Sequence, residues 1–433
     1  MADFHFKYGS GYQEFSFPDD QILGVIEPNK VEIPEGTEEE KVEYAIDHPM
    51  GTPTLDKIVK AGETVCIIVP DTTRQWGRPF VDVKILVDKL NKLGIPDSDI
   101  TIISATGTHH AQTPEMHAAI VGQEIYDRIG VQDHDCKNNL VKVGTSTFGN
   151  DIYVNKTAME CDHRFIIGPV VNHLLAGYGG SRKYVLPGIA GWDTIMRNHK
   201  KWFASDEIGS GSNPMTAPGV YKGNPISDEM FEAAEFAKID MNITNVVDVT
   251  GKIAFCYAGD LHKSHEAAVE KCRALDNVEV DEPGDLVIAS AMGFPKDINL
   301  YQTTAKPITN AVGVLAPKKD SVLIVASECR EGIGSPDMEK LLIEMDTAEE
   351  REIYTRKNYT IGLNVAYMIS KVAEEYTLIV VSSLDSKWFE RIPITPAKSI
   401  TEAIEIAKKL TGKDKFKAYM MPFSANTCAK VKG

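Results

Sequence analysis

The chain has 433 residues, 43% of them hydrophobic and 25% charged, and a formal net charge of −16. That length and composition allow two or three globular domains, at roughly 150 residues each, with cores that need no disulfide or metal staples. The charge excludes a broad surface for nucleic acid or anionic membrane, since either calls for clustered Lys and Arg. Seven dispersed cysteines without a C-x-x-C pair suit reduced thiols in a cytoplasmic protein. The opening MADFHFKYGSGYQEF lacks the layout of a signal peptide, and no apolar run approaches the roughly 18 residues of a membrane span.

In chain order, residues 1–40, including EIPEGTEEEK, read as an irregular, solvated arm. Short apolar runs follow at 65–69 (VCIIV), 100–104 (ITIIS), 165–168 (FIIG), 286–289 (LVIA), 322–325 (VLIV) and 378–381 (LIVV). Too short for helices and rich in β-branched residues, they predict buried parallel strands. Between them, 80–93 has apolar positions at helical spacing, and Thr113-Pro114 reads as an N-cap and first-turn proline. Ser399 and Glu402 have capping-box spacing before AIEIAKKL. The alternation predicts an α/β protein of two α/β domains with mainly parallel sheets and a site in the cleft between them. The polar, Pro/Gly-containing stretch 277–284 (NVEVDEPG) divides it into an N-terminal domain over 1–276 and a C-terminal domain over 277–433 that closes over the site. GSGSN at 209–213 reads as a second break or a long surface loop.

In open α/β sheets, ligands bind beyond the carboxyl ends of the strands. The residues that follow the predicted strands are Asp71-Thr72-Thr73-Arg74, then TGTHH with His109, then His173, and then Asp297, Tyr301, Gln302 and Lys306. Singly, D-T-T-R is compatible with an Asx turn carrying a surface arginine, and a lone histidine after a strand is more often structural. Repetition at several strand ends favours one shared site. His134, between Asp133 and Asp135, reads as a flanked, oriented imidazole or a solvated turn, and the turn is favoured.

The stretch GYGGSRK at 177–183 is open to two readings. It is a tight turn, or a place where bare backbone N–H groups approach a phosphate. It matches neither G-x-x-x-x-G-K-[ST] nor G-x-G-x-x-G, so it implies neither ATP nor NAD. Lys183 stands beside Arg182, a charge that disfavours its ammonium and leaves a nucleophilic amine. Hydrolytic zinc chemistry lacks its H-E-x-x-H or paired cysteines. Imidazole suits nickel as well as zinc and iron, and a single histidine holds a metal only if another molecule supplies the remaining ligands.

Together, D-T-T-R at 71–74, A-T-G-T-H at 105–109, the block from N-H at 172–173 through AGYGGSRKYVLPGIAG to N-H at 198–199, and P-K-D-I-N-L-Y-Q at 295–302 resemble the nickel-dependent lactate racemase family. The resemblance implies a nickel-pincer nucleotide, made by dedicated biosynthesis enzymes and tethered covalently to Lys183. It implies His199 as the metal ligand, His109 and His173 as the acid/base pair, and Arg74 as the grip on a carboxylate. Asp71, Thr72, Thr73 and Gly180 would line the cofactor; Tyr301, Gln302 and Lys306 would help hold the substrate. The implied reaction is racemisation or epimerisation of a 2-hydroxy acid by proton-coupled hydride transfer through a 2-keto acid. Two histidines are needed because the hydroxyl points oppositely in the two enantiomers, and an ordinary pKa of about 6.5 suits both. His110, the spacing of GGSRK, the T-T-A between Gln302 and Lys306, and YTIGLN at 359–364 depart from the family pattern. They widen the expected substrates to malate or a sugar acid. From the residues alone, a phosphate- or nucleotide-binding transferase or dehydrogenase without nickel stays open, as does a carrier protein with structural histidines.

Overall fold

Strands Val65–Pro70, Ile100–Ala105 and His163–Pro169 lie side by side in one six-stranded sheet, with almost every residue buried. Covered on both faces, such strands have no solvent side for polar residues, which is why they read as unbroken apolar runs. In the computed structural model, which describes residues 1–432, this sheet runs Ile253–Gly259, Met241–Val247, His163–Pro169, Val65–Pro70, Ile100–Ala105, Gln132–Asp133. All neighbours are parallel except the first pair. Later strands add on both sides of Val65–Pro70, so the winding reverses there. A reversal of this kind opens a crevice beyond the strand ends.

A second six-stranded sheet runs Ile394–Ala397, Thr377–Val381, Val322–Ala326, Leu286–Ser290, Ala418–Met421, Ile22–Val25, and is parallel throughout. Its winding reverses at Leu286–Ser290. Helices cover the sheets as their caps predict. Thr113 Oγ1 accepts from the Met116 N–H at 3.3 Å, and Ser399 Oγ from the Glu402 N–H at 3.1 Å. The Glu402 carboxylate takes the Lys398 N–H instead of closing a box on Ser399. The fold class is thus α/β with mainly parallel sheets.

The N-terminal arm is not irregular. Ala2–Tyr8 and Gly11–Phe17 form an antiparallel hairpin that presses Phe6, Phe15 and Phe17 into the core of the second sheet. Ile22–Val25 is that sheet's edge strand, and Thr37 closes a capping box on helix Glu38–Asp47. Residues 1–26 therefore pack with 277–433, although a 1–276 domain would group them with the first sheet. Within the boundary stretch, Asn277–Val280 pairs in parallel with Cys428–Val431. Gly209 bonds through its N–H to Glu352 at 2.9 Å, which ties the 209–213 loop to the other half of the molecule. Among the described residues all seven cysteines are unpaired, and no helix is long and apolar enough to cross a membrane.

Candidate active site

A cavity of about 120 Å³ lies where the carboxyl ends of the two sheets meet. Asp71 and Arg74 reach it from beyond Val65–Pro70, His109 from beyond Ile100–Ala105, and His173, Gly180, Lys183 and His199 from the chain after His163–Pro169. Tyr301 and Lys306 enter from the second sheet, together with the apolar side chains of Ile361 and Val365. Thr72, Thr73 and Gln302 are not on this cavity. They line an adjoining outer chamber of about 460 Å³ that shares Asp71, His109 and Tyr301 as a common wall.

The glycines of 177–183 are there for backbone packing as well as for access. Gly177 has φ +72°, and a Cβ on it would lie 2.1 Å from the Val220 carbonyl oxygen. Gly180 has φ +82°, with a Cβ 2.6 Å from the Pro169 oxygen. This tight course ends in the turn Ser181–Tyr184, which aims Arg182 and Lys183 in different directions. Arg182 is fully buried and donates to Ser227 Oγ, the Ala176 and Tyr178 carbonyls and His265 Nε2. Lys183 points into the cavity, with Nζ 2.9 Å from His173 Nε2. Burial, followed by Arg74, Arg182 and Lys306, pushes its pKa well below the ordinary lysine value. The neighbouring Arg182 charge contributes less than burial does. Burial and the like charges disfavour the ammonium and favour the free amine, the form that acts as a nucleophile.

The three imidazoles sit in different hydrogen-bond settings. His109 Nδ1 contacts Asp71 Oδ2 directly. Burial works to raise the Asp71 pKa, but His109, Arg74 and Thr73 outweigh it and hold the carboxyl down to about 2. An ionised Asp71 fixes the proton on His109 Nδ1 and leaves Nε2 as the basic nitrogen. His173 is the reverse case. Its Nδ1 accepts the N–H groups of Leu175 and Ala176 at 3.2 and 3.1 Å, so Nε2 carries the proton and gives it to the Lys183 amine. His199 closes helix Trp192–His199 and donates from Nδ1 to the Ile195 carbonyl at 3.1 Å, which leaves Nε2 free. Burial and Lys183 push its pKa down to about 3, so it is neutral and able to bind a metal.

Buried Glu229 holds this helix. It accepts from Asn198 Nδ2 at 2.8 Å and from Lys201 Nζ at 2.6 Å, on either side of His199 in the chain. Arg74, Lys183 and Lys306 converge on the cavity against a single carboxylate, Asp71. Burial, then Arg74, brings the Lys306 pKa down to about 7. A chain of strong net negative charge thus keeps a basic pocket for an anion.

Among the described residues, no three His, Cys, Asp or Glu are grouped to hold a metal ion. His199 offers one lone pair beside a buried lysine amine whose ammonium form is disfavoured. That donor set fits a group that attaches through the lysine and brings most of its own metal ligands, and it does not fit a metal bound by protein alone.

Other features were not anticipated from sequence. His134 is buried, with Nε2 2.9 Å from the Ala190 carbonyl, and is no solvated turn. Gln112 receives the Thr72 N–H at 2.6 Å and braces the Asp71 loop, while Ile361 and Val365 face the cavity from another unit. Only the cap at Thr360 and the apolar spacing of the helix it starts were there to be read.

Fold and site define an α/β enzyme whose candidate site lies between two mainly parallel sheets and is built on a buried amine, imidazoles and basic side chains. Residues 8–211 match the lactate racemase N-terminal domain and residues 279–422 the lactate racemase C-terminal domain. The chain is 30% identical over 427 residues to lactate racemase of Thermoanaerobacterium thermosaccharolyticum, covering 96% of each protein. It is also 30% identical over 382 residues to lactate racemase of Lactiplantibacillus plantarum, covering 86% of each. The lactate racemase apoprotein structure from T. thermosaccharolyticum superposes with a TM-score of 0.89 at 27% identity, over 99% of this chain and 100% of that one. A Thermotoga maritima protein shares the fold with a TM-score of 0.67 at 19% identity, over 91% of this chain and 98% of that one. The chain belongs to the lactate racemase family. It is a racemase, an isomerase, and the transferase, dehydrogenase and carrier readings fall away.

Proposed function

We propose that this enzyme racemises or epimerises a 2-hydroxy acid, lactate or a close 2-hydroxycarboxylate, using a nickel-pincer nucleotide tethered to Lys183 with its nickel on His199. The observation that carries the reading is the convergence of a buried lysine amine, three imidazoles and the basic side chains of Arg74 and Lys306 on one cavity. When bound, that group supplies an acceptor that takes the C2 hydrogen with its electron pair and returns it to either face of the resulting 2-keto acid. Moving the hydrogen in this way spares the site a carbanion beside a carboxylate.

The proton steps and the positioning fall to the protein. Arg74 and Lys306 hold the substrate carboxylate, the guanidinium through two parallel N–H donors. His109 Nε2 accepts the hydroxyl proton of one enantiomer, and the Asp71 carboxylate at Nδ1 stabilises the imidazolium that forms. His173 serves the opposite enantiomer. With the Lys183 amine taken up in the cofactor's tether, His173 Nε2–H would instead donate to the oxygen on C2, giving its proton to the keto oxygen in one direction and taking the hydroxyl proton back in the other. Gly180, Asp71, Thr72 and Thr73 belong to the cofactor's surroundings, and Tyr301 and Gln302 to the substrate's.

The relatives' names support lactate, and so do Ile361 and Val365, whose apolar side chains suit a short apolar substituent at C2 better than a second carboxylate. Enzymes that build the cofactor are implied partners, and unpaired cysteines support a cytoplasmic setting. The two units are 27–276 and 277–433, with residues 1–26 attached to the second. The test is conversion of L-lactate to D-lactate by protein made alongside the cofactor-building enzymes, with malate, 2-hydroxyglutarate and gluconate in parallel. Failure on all four would end this reading.

A further inference from the structure

Among the described residues, the one directed contact of the Lys306 ammonium is the face of Trp76, 5.5 Å from the ring centroid. The same ring faces Lys296 Nζ at 5.9 Å, and that ammonium is also held by Asn426 Oδ1 at 2.9 Å. Trp76 stands on the short helix Thr72–Gly77, two residues after Arg74, at the end of a first-sheet strand. Both lysines follow strand Leu286–Ser290 of the second sheet. The indole therefore bridges the two halves of the molecule. It is not on the cavity wall and stands behind Lys306. Lys306 itself lies in a widened π-helical turn, Thr304–Ile308, a local geometry common at functional sites.

We propose that Trp76 is a positioning residue for the substrate carboxylate: its ring holds the Lys306 ammonium beside Arg74, so that cations from opposite sheets are set in place before the anion arrives. A lysine left free loses its rotamer freedom when substrate binds, and that loss weakens binding. A cation over an indole face is restrained in advance. The inference rests on the reading of Arg74 and Lys306 as the carboxylate grip.

The test uses full-length, cofactor-loaded protein with Trp76→Leu and Trp76→Phe, each alone and combined with Lys306→Met. For L-lactate, Trp76→Leu is expected to raise KM about tenfold, the scale of a partly desolvated cation–π contact, with kcat close to wild type. Trp76→Phe should recover most of the loss, and Trp76→Leu should add nothing when Lys306 is already Met. An unchanged KM, or an equal rise in both backgrounds, overturns the proposal. A second readout needs no substrate: labelling of Lys306 by acetic anhydride, followed by peptide mass, should be several-fold faster in Trp76→Leu. Unchanged labelling would overturn the link between the two residues. A wild-type enzyme inert toward lactate would count against the functional reading alone, and the labelling result would still decide the role of Trp76.

Discussion

The imidazole of His109 and the carboxylate of Asp71 come from neighbouring strand ends of one sheet and meet Nδ1 to Oδ2. Thr73 Oγ1 donates to the other carboxylate oxygen at 2.6 Å, so the acid is held at both ends. This pair makes His109 a base with a fixed tautomer. Asp71→Asn keeps the shape but permits the wrong tautomer, and should lower kcat by about 10²–10⁴ while the mass added to the protein by the cofactor stays unchanged.

The same carboxylate gives a pH prediction. Its pKa is held down to about 2 from an ordinary 3.8. A depressed acid stabilises the fold above its unfolded pKa and loses that contribution as pH falls through the folded value. The loss should therefore fall between about pH 4 and pH 2 and be on the order of 2 kcal/mol. Urea unfolding of the wild type across that window should show it, and Asp71→Asn should flatten the slope.

His199 offers a free Nε2 at the end of a helix clamped by Glu229 on both sides. On the proposed cofactor assignment, His199→Ala should lose nickel by elemental analysis while the nucleotide stays on Lys183. A full nickel complement in that variant would place the ligand elsewhere.

Gly177 carries the backbone through φ +72° against the Val220 carbonyl. Gly177→Ala adds both left-handed strain and a clash, so stability should fall by about 1–3 kcal/mol or more, read as a lower urea midpoint at an unchanged slope. An unaltered midpoint would mean that the loop has room it does not show.

Much of this was legible in the sequence because burial on both faces writes strands such as Val65–Pro70 as continuous apolar runs, and because ligands gather at strand ends. Asp71, Arg74, His109 and His173 could be singled out on that rule, and Lys183 from the glycine-rich run and the arginine beside it. The N-terminal hairpin was missed although Phe4, Phe6, Phe15 and Phe17 alternate about a Gly-Ser-Gly turn. The core strands it packs against start at Leu286, more than 250 residues later. His134 was misread because its flanking aspartates look solvated, while its own ring is enclosed by Ala190 and Asn155. Trp76 and Ile361 were illegible for a similar reason, since each acquires its meaning from a segment of the opposite half of the molecule.

The central claim is that Lys183 is the attachment point of the cofactor. Peptide mass mapping of active enzyme, made alongside the cofactor-building enzymes, tests it most directly. The expected result is a nucleotide-sized addition on the peptide containing Lys183, absent from Lys183→Ala, which is inactive. A fully active enzyme with an unmodified Lys183 would contradict the account.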